Sequence, residues 1–303
     1  MREGDFLALL RPLAKHPAAR GLCDDAAVLP GFDEANLVLT HDVLVEGVHF
    51  LPNDPPEDVA WKLVAVNLSD LAAKGATPVG VLLGYPLSHG DWDRRFVAGL
   101  GEVLRAYDVA LLGGDTVKGP RVLGMTAIGR SAHAPSRSGA RAGDGLWVTG
   151  MIGLAGHGLA LLKQGARLAS AVASPVAASV DPIAVARYRR PTPRLAEGQA
   201  LGPFVTAMCD VSDGLLIDAR RMADASGVSV SIDISLVTTV GDPMTALTAG
   251  DDYELLFALP LEASPPPEVH AVRIGWFSEG NGLRLHSSGL PLPLPARLGW
   301  EHG

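Results

Sequence analysis

Apolar runs with strand character alternate with segments of helical spacing along the whole chain, and aspartates recur where the runs stop. Leu37–Thr40, Val79–Leu83, Val109–Leu112 and Val122–Ile128 read as strands in the first half. Between them, Trp61, Val64, Leu68 and Leu71 recur at spacings of 3, 4 and 3, which predicts a helix over 57–74. Asp58 is a candidate cap at its start, and Gly75 followed by Pro78 ends it. A second helix is expected over 91–107, with Trp92, Phe96 and Leu100 on one side. After a break rich in Gly, Ala, Arg and Pro at 131–145 the alternation restarts. It gives strands at 146–149, 205–209, 228–232, 253–258 and 269–274, and helices from about Leu154, over 194–201 and over 213–226. Residues 166–186 are low in complexity and read as either a helical excursion or a surface loop. Such alternation specifies an α/β or α+β protein, and 303 residues suit two domains. The division is placed at 1–137 and 138–303.

Composition sharpens the question of the acids. Acids outnumber bases 33 to 25, for a net charge of -8, and 22 of the acids are Asp against 11 Glu. Asp is a poor helix former that prefers caps and turns, so this excess belongs in loops. Asp24-Asp25 follows Gly21, Thr40-His41-Asp42 is read as a strand end, and Asp115 follows a glycine pair. Asn67 and Asp70 stand three apart on one helix face. Asp210-Val211-Ser212-Asp213-Gly214 joins a strand to a helix, and Asp251-Asp252 precedes a strand. Carboxylates gathered at such boundaries repel one another and call for a cation. Oxygen donors without a His/Cys cluster suit Mg²⁺, with Ca²⁺ or Mn²⁺ as alternatives, and Mg²⁺ held this way commonly meets phosphate. Each motif also has a plainer reading. Asp213 is placed to cap a helix, Asp24-Asp25 to make an Asx turn, and Asp70 to be solvated.

Other classes are excluded or weakened. No apolar stretch approaches the roughly 20 residues of a membrane span, and Phe6–Leu10 is too short for a signal peptide. Cys23 and Cys209 make neither a disulfide framework nor a zinc ribbon. An acidic chain without a Lys/Arg block is a poor nucleic-acid binder. The default is a cytoplasmic protein. No P-loop sequence occurs, and the Gly-rich segment 150–158 reads better as a packing turn than as a dinucleotide fingerprint.

The ordered series of strings carries a resemblance. Beside those already quoted stand Val45-Glu46-Gly47-Val48-His49-Phe50, Trp61-Lys62, Val66-Asn67-Leu68-Ser69-Asp70-Leu71-Ala72-Ala73-Lys74, Gly113-Gly114-Asp115-Thr116, Arg137-Ser138-Gly139-Ala140, Arg189-Arg190-Pro191-Thr192-Pro193-Arg194 and Asp251-Asp252-Tyr253-Glu254. In this order the chain resembles the thiamine-monophosphate kinase family over nearly its full length. That family belongs to a superfamily with aminoimidazole-ribonucleotide synthetase, selenophosphate synthetase and a hydrogenase maturation factor. The resemblance implies a two-domain aminoimidazole-ribonucleotide-synthetase-like fold and a homodimer whose N-terminal sheets join. It implies thiamine monophosphate and ATP as substrates, several Mg²⁺ ions, and no nucleic-acid or membrane partner.

Residue by residue, the resemblance implies metal positions at Asp25, Thr40, His41, Asp42, Asp70, Asp115, Asp210 and Asp213. ATP positions fall on Gly114, Asp115, Arg137 and Ser212, and substrate positions on His49, Asp251 and Trp300. Catalysis is expected of Asp42, Asp115, Asp210 and Arg137. Read without the resemblance, His49 between Val48 and Phe50 is a core histidine, Trp300 a tail residue and Arg137 a loop charge. A cationic thiazolium on Trp300 makes physical sense, because an aromatic face attracts cations. Three residues depart from the family pattern: Cys23 for Gly, His41 for Thr, and Asp251 for Glu. The alternative functions are another synthetase of the superfamily, or a nucleotide-binding module without turnover. The six aspartates at metal positions carry -6 of the net -8, so the charge is expected to be local to one site.

Overall fold

The computed structural model describes residues 16–32, 35–171 and 181–301. Two sheets organise it. The first is built from β1 (Ala27–Phe32), β2 (Ala35–Val45), β3 (Thr77–Leu87), β4 (Ala110–Lys118) and β5 (Val122–Ser131), in the order β1-β2-β5-β3-β4. All its pairings are antiparallel except β3 with β4. The second comprises β6 (Gly145–Thr149), β7 (Ala207–Asp210), β8 (Ser229–Asp233), β9 (Leu255–Leu259), β10 (Ala271–Ser278), β11 (Gly282–Ser287) and β12 (Leu290–Leu292), in the order β12-β11-β8-β10-β6-β9-β7.

Helices α1 (Pro56–Ala72) and α2 (Gly90–Ala106) cover one face of the first sheet. Side chains alternate along β2, so Val38, Thr40 and Leu44 turn inward while His41 and Val43 turn out. α2 is amphipathic and buries Trp92, Phe96, Leu100 and Val103. Trp92 stacks on Phe96 at 5.5 Å between centroids, and Tyr85 approaches Phe96 at 4.8 Å. His89 caps α2 by accepting a hydrogen bond from the Trp92 amide. α1 is different, for it is buried on nearly every side. Its far end, Ala72 with Ala73, packs into a second core with Leu201, Met208, Leu255 and Phe257 from the second half of the chain.

The remaining helices are α3 (Leu154–Ala171), α4 (Pro182–Arg189), α5 (Leu195–Leu201), α6 (Leu215–Ser226) and α7 (Pro243–Ala249). The glycines of 150–158 are packing positions: a Cβ on Gly153 would lie 2.4 Å from Ala246, and one on Gly158 2.1 Å from the Ala184 carbonyl. Ala246 and Ala184 belong to α7 and α4.

Several boundaries move. Asp58 does not cap α1; Pro55 holds that place without a side-chain bond, and Asp58 pairs with Arg190 at 2.5 Å. Thr40-His41-Asp42 lies inside β2 rather than at its end, because ten consecutive pairings with β5 carry the strand to Val45. Gly113-Gly114-Asp115 likewise runs inside β4, not between strands. Gly114 (φ 152°) passes so close to β3 that a Cβ would sit 2.0 Å from the Leu83 carbonyl. Asp213 does not cap α6, whose N-cap is Gly214. The low-complexity stretch includes the end of α3 and most of α4, which Asp181 caps and Pro182 opens; its centre, 172–180, lies outside the described residues.

α5 crosses the end of α1 at Gly198, where an added Cβ would stand 2.0 Å from the Ala72 carbonyl. Backbone cannot yield as a flexible side chain does. Gly198→Ala is expected to destabilise the protein by about 1–3 kcal/mol through overpacking, read as a lower urea midpoint.

Candidate active site

α1 brings its polar residues to the boundary between the two sheets. The side chains of Asp25, from the turn before β1, Asp70, from α1, and Asp210, from the end of β7, meet with ligand oxygens all within 4.8 Å of one another. Thr40 Oγ1 donates to Asp70 and lies 3.3 Å from the Asp25 carbonyl. Ser69 Oγ donates to Asp210 Oδ2 at 2.5 Å, joining α1 to β7. Asn67 Oδ1 accepts from the Asp42 amide at 3.2 Å.

Burial opposes ionisation here, and the carboxylates raise one another. Asp210 is pushed up to about 8 by burial and Asp25, and Asp42 up to about 6 by burial and Asp213. Asp70 lies well above the usual carboxylate range for the same reasons, with Asp42 and Asp210 adding to its burial. Two cations already answer part of this charge. The ammonium of Lys74, fully buried, sits 2.6 Å from Asp24 and 2.7 Å from Asp25. Arg137 Nη2 pairs with the other oxygen of Asp25. Against the opposing effect of burial, Lys74 and Arg20 hold Asp24 down at about 2.

The residues fit a hard divalent cation. The donor set is oxygen only, and its members converge from three elements. A cation between Asp25, Asp70 and Asp210 would offset the repulsion that raises Asp70 and Asp210.

The cluster opens into a cleft of about 700 Å³ between the two halves. Asp42, His49, Asp70, Asp210, Ser212, Asp213, Asp251 and Trp300 all line it. His49 Nδ1 accepts from the Val45 amide at 3.0 Å, so the histidine is neither wholly core nor free. Trp300 is 51% exposed, and its amide donates to the Asp213 carbonyl at 2.8 Å. Asp251 Oδ1 accepts from the Tyr253 hydroxyl at 3.0 Å. Asp213 pairs with Arg221 at 2.5 Å.

Three expected site residues lie elsewhere within the chain. His41 turns to the opposite sheet face from Thr40 and Asp42, where Nδ1 meets Thr126 Oγ1 at 2.9 Å. Its ring therefore lies on the other side of the sheet from Thr40 and the Asp25–Asp70–Asp210 cluster. Gly114 and Asp115 lie on the exposed edge strand β4. The pairings Asp42 with Met125, Met125 with Leu83, and Leu83 with Gly114 put Gly114 in one row with Asp42. Three strand spacings separate them, roughly 14 Å at ~4.8 Å each. Asp42 and Asp115 of one chain thus do not share an ion.

Sequence reasoning gave no role to Lys74, to Lys62 or to Asp218. Both lysines stand in the quoted strings, and a lysine on an apolar helix is a signal that it has a buried partner. Asp218 is fully buried in α6 and accepts from the Ser212 and Asp213 amides at 3.2 and 3.1 Å, which fixes that loop. Burial and Asp213 raise it to about 6.

Two sheets with a carboxylate-lined cleft between them define a class, and comparison agrees with it. Residues 23–131 match the AIR synthase related protein N-terminal domain and residues 141–286 its C-terminal domain. The chain is 38% identical to the thiamine-monophosphate kinase of Caulobacter vibrioides, over 99% of this chain and 91% of that one. It is 37% identical to that of Escherichia coli K12, over 86% and 84%. Among solved structures, AaThiL complexed with AMPPCP and TMP superposes with a TM-score of 0.86 at 28% identity, covering 100% of this chain and 97% of that one. The thiamine-monophosphate kinase from Stenotrophomonas maltophilia K279a gives 0.75 at 35% identity, covering 95% and 96%. The chain belongs to the thiamine-monophosphate kinase family of AIR synthase related proteins.

One consequence concerns the protein without divalent cations. A carboxylate with its folded value raised to about 8 binds its proton more tightly folded than unfolded, so stability falls as pH rises through that range. In chelator, Asp210→Asn is expected to melt above wild type at pH 8. The advantage should shrink as pH falls towards 5 and Asp210 takes up its proton, as read by thermal denaturation across pH.

Proposed function

We propose that the protein transfers the γ-phosphoryl group of ATP to the phosphate of thiamine monophosphate, giving ADP and thiamine diphosphate. The observation that carries this reading is a single cleft lined by Asp42, Asp70 and Asp210, the last two clustered with Asp25 behind them, whose lining also includes His49, Asp251 and Trp300. The relatives are thiamine-monophosphate kinases, and AaThiL binds AMPPCP and TMP together.

The acceptor is a phosphate monoester, already largely dianionic at pH 7 because its second pKa is about 6, so no strong general base is required. What remains is to hold two anions in line and offset their charge. Mg²⁺, held by Asp25, Asp42, Asp70 and Asp210, would supply charge neutralisation of the transferring phosphoryl group. In this reading Arg137, paired with Asp25, binds phosphate, and Asp218, which accepts from the Ser212 and Asp213 amides, keeps that backbone fixed for nucleotide. Trp300 offers an exposed ring to the thiazolium cation.

A homodimer belongs to the same reading. The outward face of the first sheet exposes Val43, Leu82, Val122 and, on its β4 edge, Leu111, Leu112 and Val117. A second copy laid on this face would cover them. It would also bring Gly114 and Asp115 of one copy towards the other's cleft, which their position on β4 otherwise leaves unexplained. The 1–137 and 138–303 division is kept, with Arg137 at the junction and the catalytic work shared between the two parts. Among the described residues no helix is long and apolar enough to cross a membrane, and a cytoplasmic site of action accords with this biosynthetic chemistry.

Incubation with ATP, Mg²⁺ and thiamine monophosphate is expected to yield ADP and thiamine diphosphate in equal amounts. Free thiamine should not substitute, because it offers a hydroxyl. Orthophosphate with a different product would favour a synthetase of the superfamily, and binding without turnover would sink the kinase reading. Asp42→Asn should lower kcat roughly 100-fold or more with the melting temperature little changed. Leu82→Glu should give monomers in sedimentation and lose activity in parallel; an active monomer would contradict the shared site.

A further inference from the structure

Lys62 is a buried cation with no part in the metal cluster. It sits on α1, 2% exposed, and reaches three things at once. Its Nζ donates to Asp251 Oδ2 at 2.9 Å and to the His49 carbonyl at 3.0 Å. It also lies 4.1 Å from the centroid of the Tyr188 ring on α4. His49 belongs to the turn after β2 and Asp251 to the turn before β9, so the ammonium joins the two halves across the cleft wall.

The Asp251 turn is held under strain. Asp251 has φ 62° and Tyr253 φ 52°, left-handed values that strain the backbone of a non-glycine residue. Backbone bonds from Asp251 N to the Ser212 carbonyl (2.7 Å) and Tyr253 N to the Val211 carbonyl (2.8 Å) anchor it. With Tyr253 on Oδ1 and Lys62 on Oδ2, both carboxylate oxygens are fixed in direction. An aspartate, with its short stem, presents its remaining lone pairs to a ligand only where such partners aim it.

We propose that Lys62 is the positioning residue of the thiamine-phosphate wall of the cleft, locking Asp251 and the His49 turn into one rigid surface. The proposal rests on the kinase reading above. Lys62 touches neither the carboxylate cluster nor the Ser212–Asp213 loop, and the backbone bonds that anchor the Asp251 turn to that loop do not involve it, so its influence is expected on one substrate. Loss of the ammonium leaves Asp251 with an unpaired charge and frees the His49 turn.

The test is steady-state kinetics with each substrate varied. Lys62→Met is expected to raise KM for thiamine monophosphate at least tenfold, with KM for ATP within twofold and kcat within threefold of wild type. In the Asp251→Asn background, adding Lys62→Met should change KM for thiamine monophosphate less than threefold, because the ammonium can hold the His49 turn in place only while the Asp251 carboxylate anchors it. The double variant leaves no buried charge unpaired, so it decides the matter if Lys62→Met alone fails to fold. An unchanged KM for thiamine monophosphate in folded Lys62→Met, an equal rise in both KM values, or additive effects in the double variant would each overturn the proposal. Wild-type protein that makes no thiamine diphosphate defeats the kinase reading itself; active wild type with an unselective Lys62→Met defeats only this inference.

Discussion

A helix buried on nearly every side must find a partner for each polar group it carries, and α1 is such a helix. Lys62, Asn67 and Ser69 are all buried, Asp70 is nearly so, and Lys74 is buried just past the C-terminal cap. Asn67 Nδ2 is satisfied within the helix, by the Leu63 carbonyl at 2.9 Å. The others reach outward: Lys62 to Asp251, Ser69 to Asp210, Asp70 to Thr40, Lys74 to Asp24 and Asp25. These partners come from both halves of the chain, so the helix works as a polar axle between two apolar cores. Breaking one partner of a buried pair costs several kcal/mol, about 3–5, whereas a surface pair contributes little. The relative placement of the sheets therefore depends on pairs that also form the site.

That arrangement explains why the acids tolerate one another. Three carboxylates within 4.8 Å in a buried place would protonate if left alone, and the raised Asp70 and Asp210 show the tendency. Lys74 and Arg137 supply two fixed positive charges at Asp25. They do not supply enough for Asp42, Asp70 and Asp210 as well. The remainder is the opening for a divalent cation with phosphate oxygens, whose charge is present only when substrate arrives.

Much of this was legible along the chain, and the reason lies in locality. The apolar spacing of α1 and α2 depends on neighbours three and four residues apart, and the structure places both within two residues of the expectation. Strand lengths were harder, because pairing between distant segments sets them. Val43-Leu44-Val45 extends β2 past Asp42 only because β5 lies alongside. Gly113-Gly114 read as the end of a strand, yet glycine here serves close approach between β3 and β4. His41 illustrates a different limit. In a strand, neighbours face opposite ways, so Thr40 and Asp42 enter the site and His41 does not. The roles of Lys62 and Asp218 were invisible for a third reason: each acts on backbone or side chains whose place only folding determines.

The aspartate excess has a more divided origin than one metal site. Asp181, Asp233 and Asp242 cap helices, as expected of a residue that competes for backbone amides. Asp54 and Asp58 pair with Arg189 and Arg190, and Asp24 with Lys74 and Arg20. Asp144 accepts from Arg141 N and Thr206, and Asp252 from Gly153 N. A glutamate at most of these positions would carry its carboxylate one carbon too far to close the short ring back to the backbone. The net charge of -8 is then a property of the whole chain rather than of the cluster, where burial and mutual repulsion already oppose the ionisation of Asp70 and Asp210. The same short side chain that makes aspartate a good cap makes it a rigid ligand, so one residue preference serves both the turns of the fold and the cluster between its sheets.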